Sequence, residues 1–243
     1  IVIKGKSLTI KRADGVTSAV LNANGKSRIF KVENGANLTL ENLTLTGGKA
    51  TGEGDAGCGG AIFARDANKI EIENCIITGN EAYTNGGGLN IEGTPTTITN
   101  CTFTGNTAKN GGGIYIIQAS KGPVVTISGG TIGGTGPNEA NKATGTDSDG
   151  NGGGIYVGER CFLKLQDSTG TDAQGVLIIG NQAAKGSGVY ANNIDVSMKD
   201  RTRIAVNNDV YLDNTSRIKV FGALSNNPAA RITVPDSDYY VGR

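Results

Sequence analysis

Histidine and tryptophan are absent from the sequence, and proline accounts for only 5 of its 243 residues. Without histidine, the chain lacks the usual proton carrier near neutral pH, and a serine nucleophile activated by a histidine base is excluded. The four cysteines form no Cys-x-x-Cys pair, so a structural zinc site is not expected. No segment approaches the roughly 20 apolar residues that span a bilayer as a helix.

Charge is nearly balanced, with 23 basic and 22 acidic side chains and a net charge of +1. This balance gives no reason to expect nucleic acid as a partner. The chain opens on Ile1-Val2-Ile3, which is typical of a strand. It shows no export signal, which would have a charged segment followed by an apolar one. We interpret it as a fragment of a longer exported protein.

Glycine is abundant, with 39 residues, and several glycines lie in a recurring tetrapeptide. In its clearest copies, two glycines are followed by an apolar residue and a fourth residue that varies. The copies are Gly59-Gly60-Ala61-Ile62, Gly87-Gly88-Leu89-Asn90, Gly112-Gly113-Ile114-Tyr115, Gly153-Gly154-Ile155-Tyr156, and the weaker Ser187-Gly188-Val189-Tyr190 and Asn208-Asp209-Val210-Tyr211. Between them falls a second quartet, which ends in Asn80, Asn106, Asn181 and Asn207. Regular repetition of this kind predicts a solenoid.

Each repeat contains three short runs of strand character, such as 61–64, 69–74 and 75–78. Runs this short cannot bury their apolar side alone, so each unit needs a copy above and below it. We therefore predict an all-β fold: a right-handed parallel β-helix of about eight three-strand coils, forming a single domain over 1–243. The middle runs align apolar residues at every second place, namely Leu38/Leu40, Ile70/Ile72, Ile98, Val125/Ile127 and Leu163/Leu165.

The asparagines at the end of the second quartet predict a ladder of side-chain amides, in which Asn80, Asn106, Asn181 and Asn207 bond one another from coil to coil. A simple preference of asparagine for turns is the alternative interpretation. Cys75 and Cys101 start the third run in successive coils and should stack inside as two thiols, although their spacing is also compatible with a disulfide.

The two motifs together, a Gly-Gly-apolar-apolar quartet and a quartet of the Phe103-Thr-Gly-Asn106 type, resemble the repeats of chlamydial polymorphic outer membrane proteins. The resemblance is strongest over 59–113. It implies an autotransporter passenger or another surface region displayed outside the cell, associated with the outer membrane in the full-length protein, with adhesion as its role. The sequence departs from this pattern because phenylalanine fills its motif place only at Phe103. The motifs describe a scaffold and carry no catalytic residues.

Insertions rich in glycine, threonine, aspartate and asparagine interrupt the repeat at 47–57, 133–151 and 168–175. The first two fall at equivalent places and should emerge along one edge of the solenoid, where insertions often form the binding surface. A second candidate for ligand contact is a column of aromatic side chains that follows the glycine quartets: Tyr115, Tyr156, Tyr190 and Tyr211. If they point outward, these rings could stack on sugars or bind another surface; if they point inward, they form an ordinary aromatic ladder.

A third candidate is the segment Asp147-Ser148-Asp149-Gly150-Asn151, which has oxygen-bearing side chains at alternate positions like the start of a calcium loop. The bidentate acid expected at the twelfth place is missing, because Gly158 stands there. A polar surface loop without a cofactor is the more economical interpretation, with Ca²⁺ as the alternative.

These observations lead to one main hypothesis and two alternatives. The main hypothesis is a monomeric, non-enzymatic module, secreted or displayed at the cell surface, that binds a host surface, a matrix protein or a glycan through its edge loops. A carbohydrate-active enzyme on the same scaffold, either a polysaccharide lyase or a glycosidase, is the first alternative. Its site would need carboxylates on adjacent coils, but the columns that contain Glu41, Glu71 and Glu73 do not keep acids on three neighbouring coils. The second alternative is a purely structural stalk.

Overall fold

A computed structural model describes residues 1–146 and 148–235. Within these residues the chain is built from 26 parallel strands, numbered along the chain, and one short 3₁₀ helix at Gly54–Gly57. Every strand pair is parallel, and each strand pairs with the strand at the equivalent place in the next repeat. The parallel β-helix predicted from the repeat is confirmed.

The first sheet has nine strands, compared with the roughly eight coils predicted from the repeat. In order across the sheet they are β1 (Val2–Lys4), β4 (Phe30–Glu33), β8 (Ile62–Arg65), β12 (Leu89–Glu92), β15 (Ile114–Ile117), β18 (Ile155–Val157), β21 (Val189–Asn192), β24 (Val210–Asp213) and β26 (Ile232–Thr233).

The second sheet contains the middle runs: β2 (Ser7–Lys11), β5 (Asn37–Glu41), β9 (Lys69–Glu73), β13 (Thr96–Thr104), β16 (Val124–Gly133), β19 (Phe162–Gln166), β22 (Asp195–Asp200) and β25 (Arg217–Leu224). The third runs are β3 (Val20–Asn22), β6 (Thr44–Thr46), β10 (Ile76–Thr78), β20 (Leu177–Ile179) and β23 (Arg203–Ile204). Strands β13 and β16 continue around a bend into this part of the sheet, where β13 pairs with β10 and β16 pairs with β20. The bend is built by residues in the left-handed region, including Asn42, Asn74 and Asn100 with φ values of 58°, 51° and 50°. Asparagine tolerates this conformation better than most residues.

A third sheet of two-residue strands completes the coil: β7 (Lys49–Ala50), β11 (Glu81–Ala82), β14 (Thr107–Ala108) and β17 (Lys142–Ala143). Two of these strands lie inside segments that the sequence assigned wholly to loops, 47–57 and 133–151. Strands this short show no alternation of apolar and polar residues, so the sequence could not distinguish them from loop. The loops proper are therefore shorter, at 51–57, 134–141 and 144–150. In the third predicted insertion, 168–175, the Ser168 amide donates to the Gln174 carbonyl at 2.9 Å and closes the loop.

The core is a file of aliphatic side chains along the inside of the tube. The strand register pairs five of these side chains, each with its neighbour in the next coil, and each is at most 2% exposed: Leu40, Ile72, Ile98, Ile127 and Leu165. Burying a side chain of this size contributes roughly 1.5–3 kcal/mol. The alternation predicted for the middle runs is thus confirmed.

Glycines at the start of the first-sheet strands allow adjacent coils to approach closely. A Cβ atom at Gly60 would lie 2.2 Å from the Gly87 carbonyl oxygen, and one at Gly87 would lie 2.5 Å from that of Gly112. The register also corrects the first quartet, because Leu89 pairs with Ile62 and Asn90 with Phe63. The aligned quartet is Gly60-Ala61-Ile62-Phe63, one residue later than the glycine pair suggests.

Candidate binding surfaces

The asparagine ladder runs through five coils, and its members are Asn80, Asn106, Asn141, Asn181 and Asn208. The Nδ2 of each of the first four donates to the Oδ1 of the next asparagine at 2.9–3.0 Å. The Oδ1 of each of the last four also accepts the backbone N–H of the preceding member, and all five side chains are at most 4% exposed. The ladder satisfies buried backbone groups at a corner of the tube, which is a scaffold role.

Asn207 does not belong to this ladder, contrary to the prediction, and its side chain is exposed. A turn closed by the Asn208 amide and the Ala205 carbonyl adds one residue after Ile204 and brings Asn208 to the ladder position instead. Asn141 was not found from the sequence because the insertion after Ile132 separates it from the quartet.

The four candidate tyrosines form one stack on the outside of the first sheet. Ring centroids are 4.6 Å apart between Tyr115 and Tyr156, 5.1 Å between Tyr156 and Tyr190, and 5.5 Å between Tyr190 and Tyr211. Because each ring face between neighbours is covered by the next ring, the stack offers mainly ring edges and hydroxyls to a ligand. Burial raises the pKa of Tyr115 and of Tyr190, and the Tyr190 hydroxyl also donates to Asp213. This arrangement favours a structural ladder over a platform for sugar stacking.

Phe63 occupies the tyrosine place two coils earlier and is fully buried, although it lies outside the tube. The guanidinium carbons of Arg28 and Arg65 lie 5.1 Å and 5.2 Å from its ring centroid. Arg28 also donates to the carbonyls of Asp55 and Ala56 at 2.6 Å and 2.5 Å. The 51–57 insertion is thereby held down over the ring.

Arg65 completes this attachment because its guanidinium bridges Asp55 of the insertion and the buried Glu92 of the sheet. Although burial opposes its charge, hydrogen bonds to both carboxylates raise the pKa of Arg65. Glu92 also accepts from the Asn90 amide at 2.9 Å. Both Glu92 oxygens are therefore engaged by fixed partners, which does not suit a catalytic acid.

The two insertions leave the tube at the same edge, directly after Ala50 and Ala143 in the third sheet. Beside the second insertion lies a groove of about 360 Å³, lined by Glu81, Ala82, Tyr83, Thr107, Lys109, Thr144, Gly145, Thr146 and Asp149. Tyr83 is 48% exposed, and Lys109 Nζ lies 4.9 Å from its ring centroid. The Thr84 amide donates to the Gly57 carbonyl, and the Gly145 amide donates to the Lys109 carbonyl. The second insertion therefore forms one wall of the groove, whereas the first is bonded to the chain next to Tyr83 and does not line the groove.

The candidate calcium segment lies beside this groove. Asp147 lies outside the described residues. Asp149 accepts from the Asn110 amide at 3.0 Å, and Asn151 donates to the Ser148 carbonyl at 2.8 Å. Over 1–146 and 148–235, no three cysteine or carboxylate side chains converge in a way that could hold a metal ion.

All four cysteines are buried free thiols. The Cys75 amide lies 3.4 Å from Cys101 Sγ, in the stacked arrangement expected for the interior. Burial raises the pKa of Cys58 and raises that of Cys161 to about 12, so neither is disposed to act as a nucleophile near neutral pH.

On the second sheet, the register places Glu41 beside Glu73, and the next residues in that column are Thr99 and Ser128. Acids therefore stand on only two neighbouring coils here. Glu71 forms an ion pair with Lys69 at 2.6 Å. This face has the character of a solvated polar surface.

No family model, curated protein or solved structure matches the chain. In the part of the chain that the structure describes, no helix is long and apolar enough to cross a membrane.

The groove residues Tyr83 and Lys109 were not singled out from the sequence. The available signal was positional: both follow the two-residue strands of the third sheet, at the place where the neighbouring repeats carry insertions.

Proposed function

We propose that this chain is a β-helical binding module of the adhesin or passenger type, displayed or secreted outside the cell, and that it binds a matrix protein or a glycan through the edge groove. The observation that carries the proposal is a groove at the edge where the insertions leave the tube, formed against the second insertion and containing an exposed tyrosine and a lysine. The resemblance of the repeats to those of chlamydial surface proteins supports the same role.

The groove has the composition of a recognition site. The Tyr83 ring gives apolar contact area with a polar tip, and Lys109 supplies a positive charge beside it. Thr107, Thr144 and Asp149 add hydroxyl and carboxylate groups that can bond a polar ligand. The 51–57 insertion is clamped by Arg28 and Arg65 and accepts the backbone N–H of Thr84. The segment that carries Tyr83 is therefore held in place before binding, which lowers the entropic cost of association.

The test requires a variant that removes the second insertion without damaging the scaffold. Deleting all of 133–151 would remove Asn141 from the ladder, so a smaller change is needed. The preceding coil joins Ala108 to Asn110 through Lys109 alone, and Ala143 and Asn151 occupy the equivalent places. Replacing 144–150 with a single lysine therefore copies a connection that the protein already uses.

The wild-type protein, this loop replacement, Tyr83→Ala and the surface control Val124→Ala are compared on arrays of glycans and immobilised matrix proteins. We expect the loop replacement and Tyr83→Ala to lose the ligand that the wild type binds, and Val124→Ala to retain it. Unchanged binding by both groove variants, with circular dichroism unaltered, would refute the groove. Absence of any ligand for the wild type would favour a stalk.

A further inference from the structure

A second surface lies on the outer face of the second sheet, away from the edge loops. Its residues come from β19, β22 and β25, where Lys164 pairs with Ser197 and Ser197 pairs with Lys219. Residues two places to either side on each strand point to the same face. The face is therefore a grid with two regular columns, which are Phe162, Asp195 and Arg217, and Lys164, Ser197 and Lys219. Its third side is formed by Gln166, Lys199 and Phe221, where the register of β22 and β25 shifts between Met198 and Asp200.

The centre of this grid is a depression because its central residue is the small Ser197. Longer side chains surround it and enclose a groove of about 380 Å³. At the usual separations of ~4.8 Å between coils and ~6.6 Å between alternate residues, the backbones of Lys164 and Lys219 lie roughly 10 Å apart. A ligand group seated on Ser197 would have one of these lysines on each side.

The depression carries an excess of positive charge. Lys164 has no carboxylate partner among the described residues, whereas Lys199 borders the third side and pairs with Asp200 at 3.4 Å. Among the described residues, Asp195 is the only acid that lines the groove, and it pairs with Lys219 at 2.6 Å and with Arg217 at 3.6 Å. An anionic group in the groove would therefore meet lysine ammonium groups with one neutralised carboxylate at the margin.

Two phenylalanines stand at opposite corners of the grid and are unusually open to solvent. Phe162 is 53% exposed and Phe221 is 63% exposed. Exposed aromatic rings at both ends of a charged groove suit a ligand with alternating apolar faces and anionic groups. The neutral polar side chains of Ser197 and Gln166 add partners for hydroxyl groups.

We propose that this grid binds an anionic polysaccharide, one whose sugar rings carry carboxylate or sulfate groups. The sugar faces stack on Phe162 and Phe221, and an acidic group lies over Ser197 between Lys164 and Lys219. An acidic peptide fits less well, since extended peptides usually gain affinity from main-chain bonds at a sheet edge. Here the backbone donors and acceptors of the central strand are already used by the coils above and below.

The proposal is independent of the edge groove and is tested by calorimetric titration with polygalacturonate and with dextran sulfate. Fully methyl-esterified polygalacturonate and plain dextran are the uncharged counterparts. We expect both anionic polymers to bind, their affinity to fall as sodium chloride is raised, and both neutral polymers to show no heat of binding. Binding of only one anionic polymer identifies the acidic group preferred by the site.

The variants distinguish binding at this site from nonspecific electrostatic attraction between the protein and an anionic polymer. The double variant K164A/K219A should weaken binding on the order of tenfold or more. Phe162→Ala should weaken it roughly threefold to tenfold. The matched control K6A/K26A removes the same charge elsewhere and should bind within twofold of wild type, as should the edge-loop replacement.

Several outcomes overturn the proposal: no binding of either anionic polymer, equal binding of the esterified polymer, or an equal loss in K6A/K26A. If polyglutamate binds more tightly than the anionic polysaccharides, and Phe162→Ala does not weaken its binding, the surface is a site for acidic peptides instead.

Discussion

At the scale of single residues, Asn106 shows how much one side chain of the ladder supports. Its Nδ2 donates to the Ile77 carbonyl and to Asn141 Oδ1, both at 2.9 Å, and its Oδ1 accepts from the backbone and side chain of Asn80. The side chain is fully buried. Removing it would take hydrogen-bond partners from polar groups on both neighbouring coils, which costs about 1–3 kcal/mol for each group left unsatisfied.

Asn106→Ala should therefore lower the free energy of unfolding by about 2–4 kcal/mol, measured by urea denaturation. Asn207→Ala provides the control, because Asn207 has the same side chain at an exposed turn position; its effect should stay within about 0.5 kcal/mol. Similar losses in the two variants would show that the ladder adds nothing beyond turn preference.

The sequence predicted residues best where large aliphatic side chains alternate. Ile72, Ile98 and Ile127 could be aligned in advance because a shift of one residue would turn every apolar group to solvent. Asn207 was chosen wrongly because one extra turn residue changes no apolar pattern. Phe63 was missed because the expected glycine pair lies one residue earlier than the strand register requires.

At the scale of structural elements, the 51–57 insertion is attached to the rod through a few identifiable contacts. Asp55 supplies its carboxylate to Arg65, whereas Glu53 makes no side-chain bond at the start of the 3₁₀ helix. Asp55→Asn keeps the pairing of Arg65 with Glu92 and weakens only the link to the insertion.

We expect Asp55→Asn to raise the rate of amide hydrogen exchange across 51–57 severalfold and to change global stability by less than about 1 kcal/mol. Glu53→Gln removes the same charge from the same insertion and should leave exchange unaltered. Mass spectrometry of peptides from the insertion measures both. Equal exchange in the two variants would mean that Arg65 does not hold the loop.

The elements also differ in how far the sequence could define them. Strands of the first two sheets have four or more residues in most coils, enough to show an inward and outward alternation. Strands of the third sheet, such as Lys49–Ala50 and Lys142–Ala143, have two residues and cannot show it. The edge groove follows these short strands, so its lining could not be assembled before the strand pairing was known.

At the scale of the whole molecule, a buried cysteine thiol and buried tyrosine hydroxyls with raised pKa values make the fold less stable at alkaline pH. Burial raises the pKa of Cys161 to about 12 and raises the pKa values of Tyr115, Tyr156 and Tyr190. In the unfolded chain a thiol loses its proton near pH 8.5 and a phenol near pH 10. Over this range the unfolded state binds fewer protons than the folded state, so stability falls as pH rises.

The urea midpoint should therefore decline steadily from about pH 9 to about pH 12. Tyr156→Phe keeps an aromatic ring in the stack and removes one ionisable group, so its decline should be shallower than that of the wild type. At alkaline pH, the absorbance of ionised tyrosine should rise as the protein unfolds, together with the loss of the circular dichroism signal. A midpoint independent of pH, or an identical slope in the variant, would contradict the role of these buried groups.

The direction of the hydrogen bonds between coils has a mechanical consequence. These bonds lie along the long axis of the solenoid. Tension applied between its two ends therefore loads the bonds between one pair of coils at a time, instead of all of them together. The rod should then unwind turn by turn at low force, each turn of about two dozen residues releasing roughly 80 Å of slack chain. Turns that contain insertions should yield longer steps, so a force–extension trace would show the order in which the insertions occur.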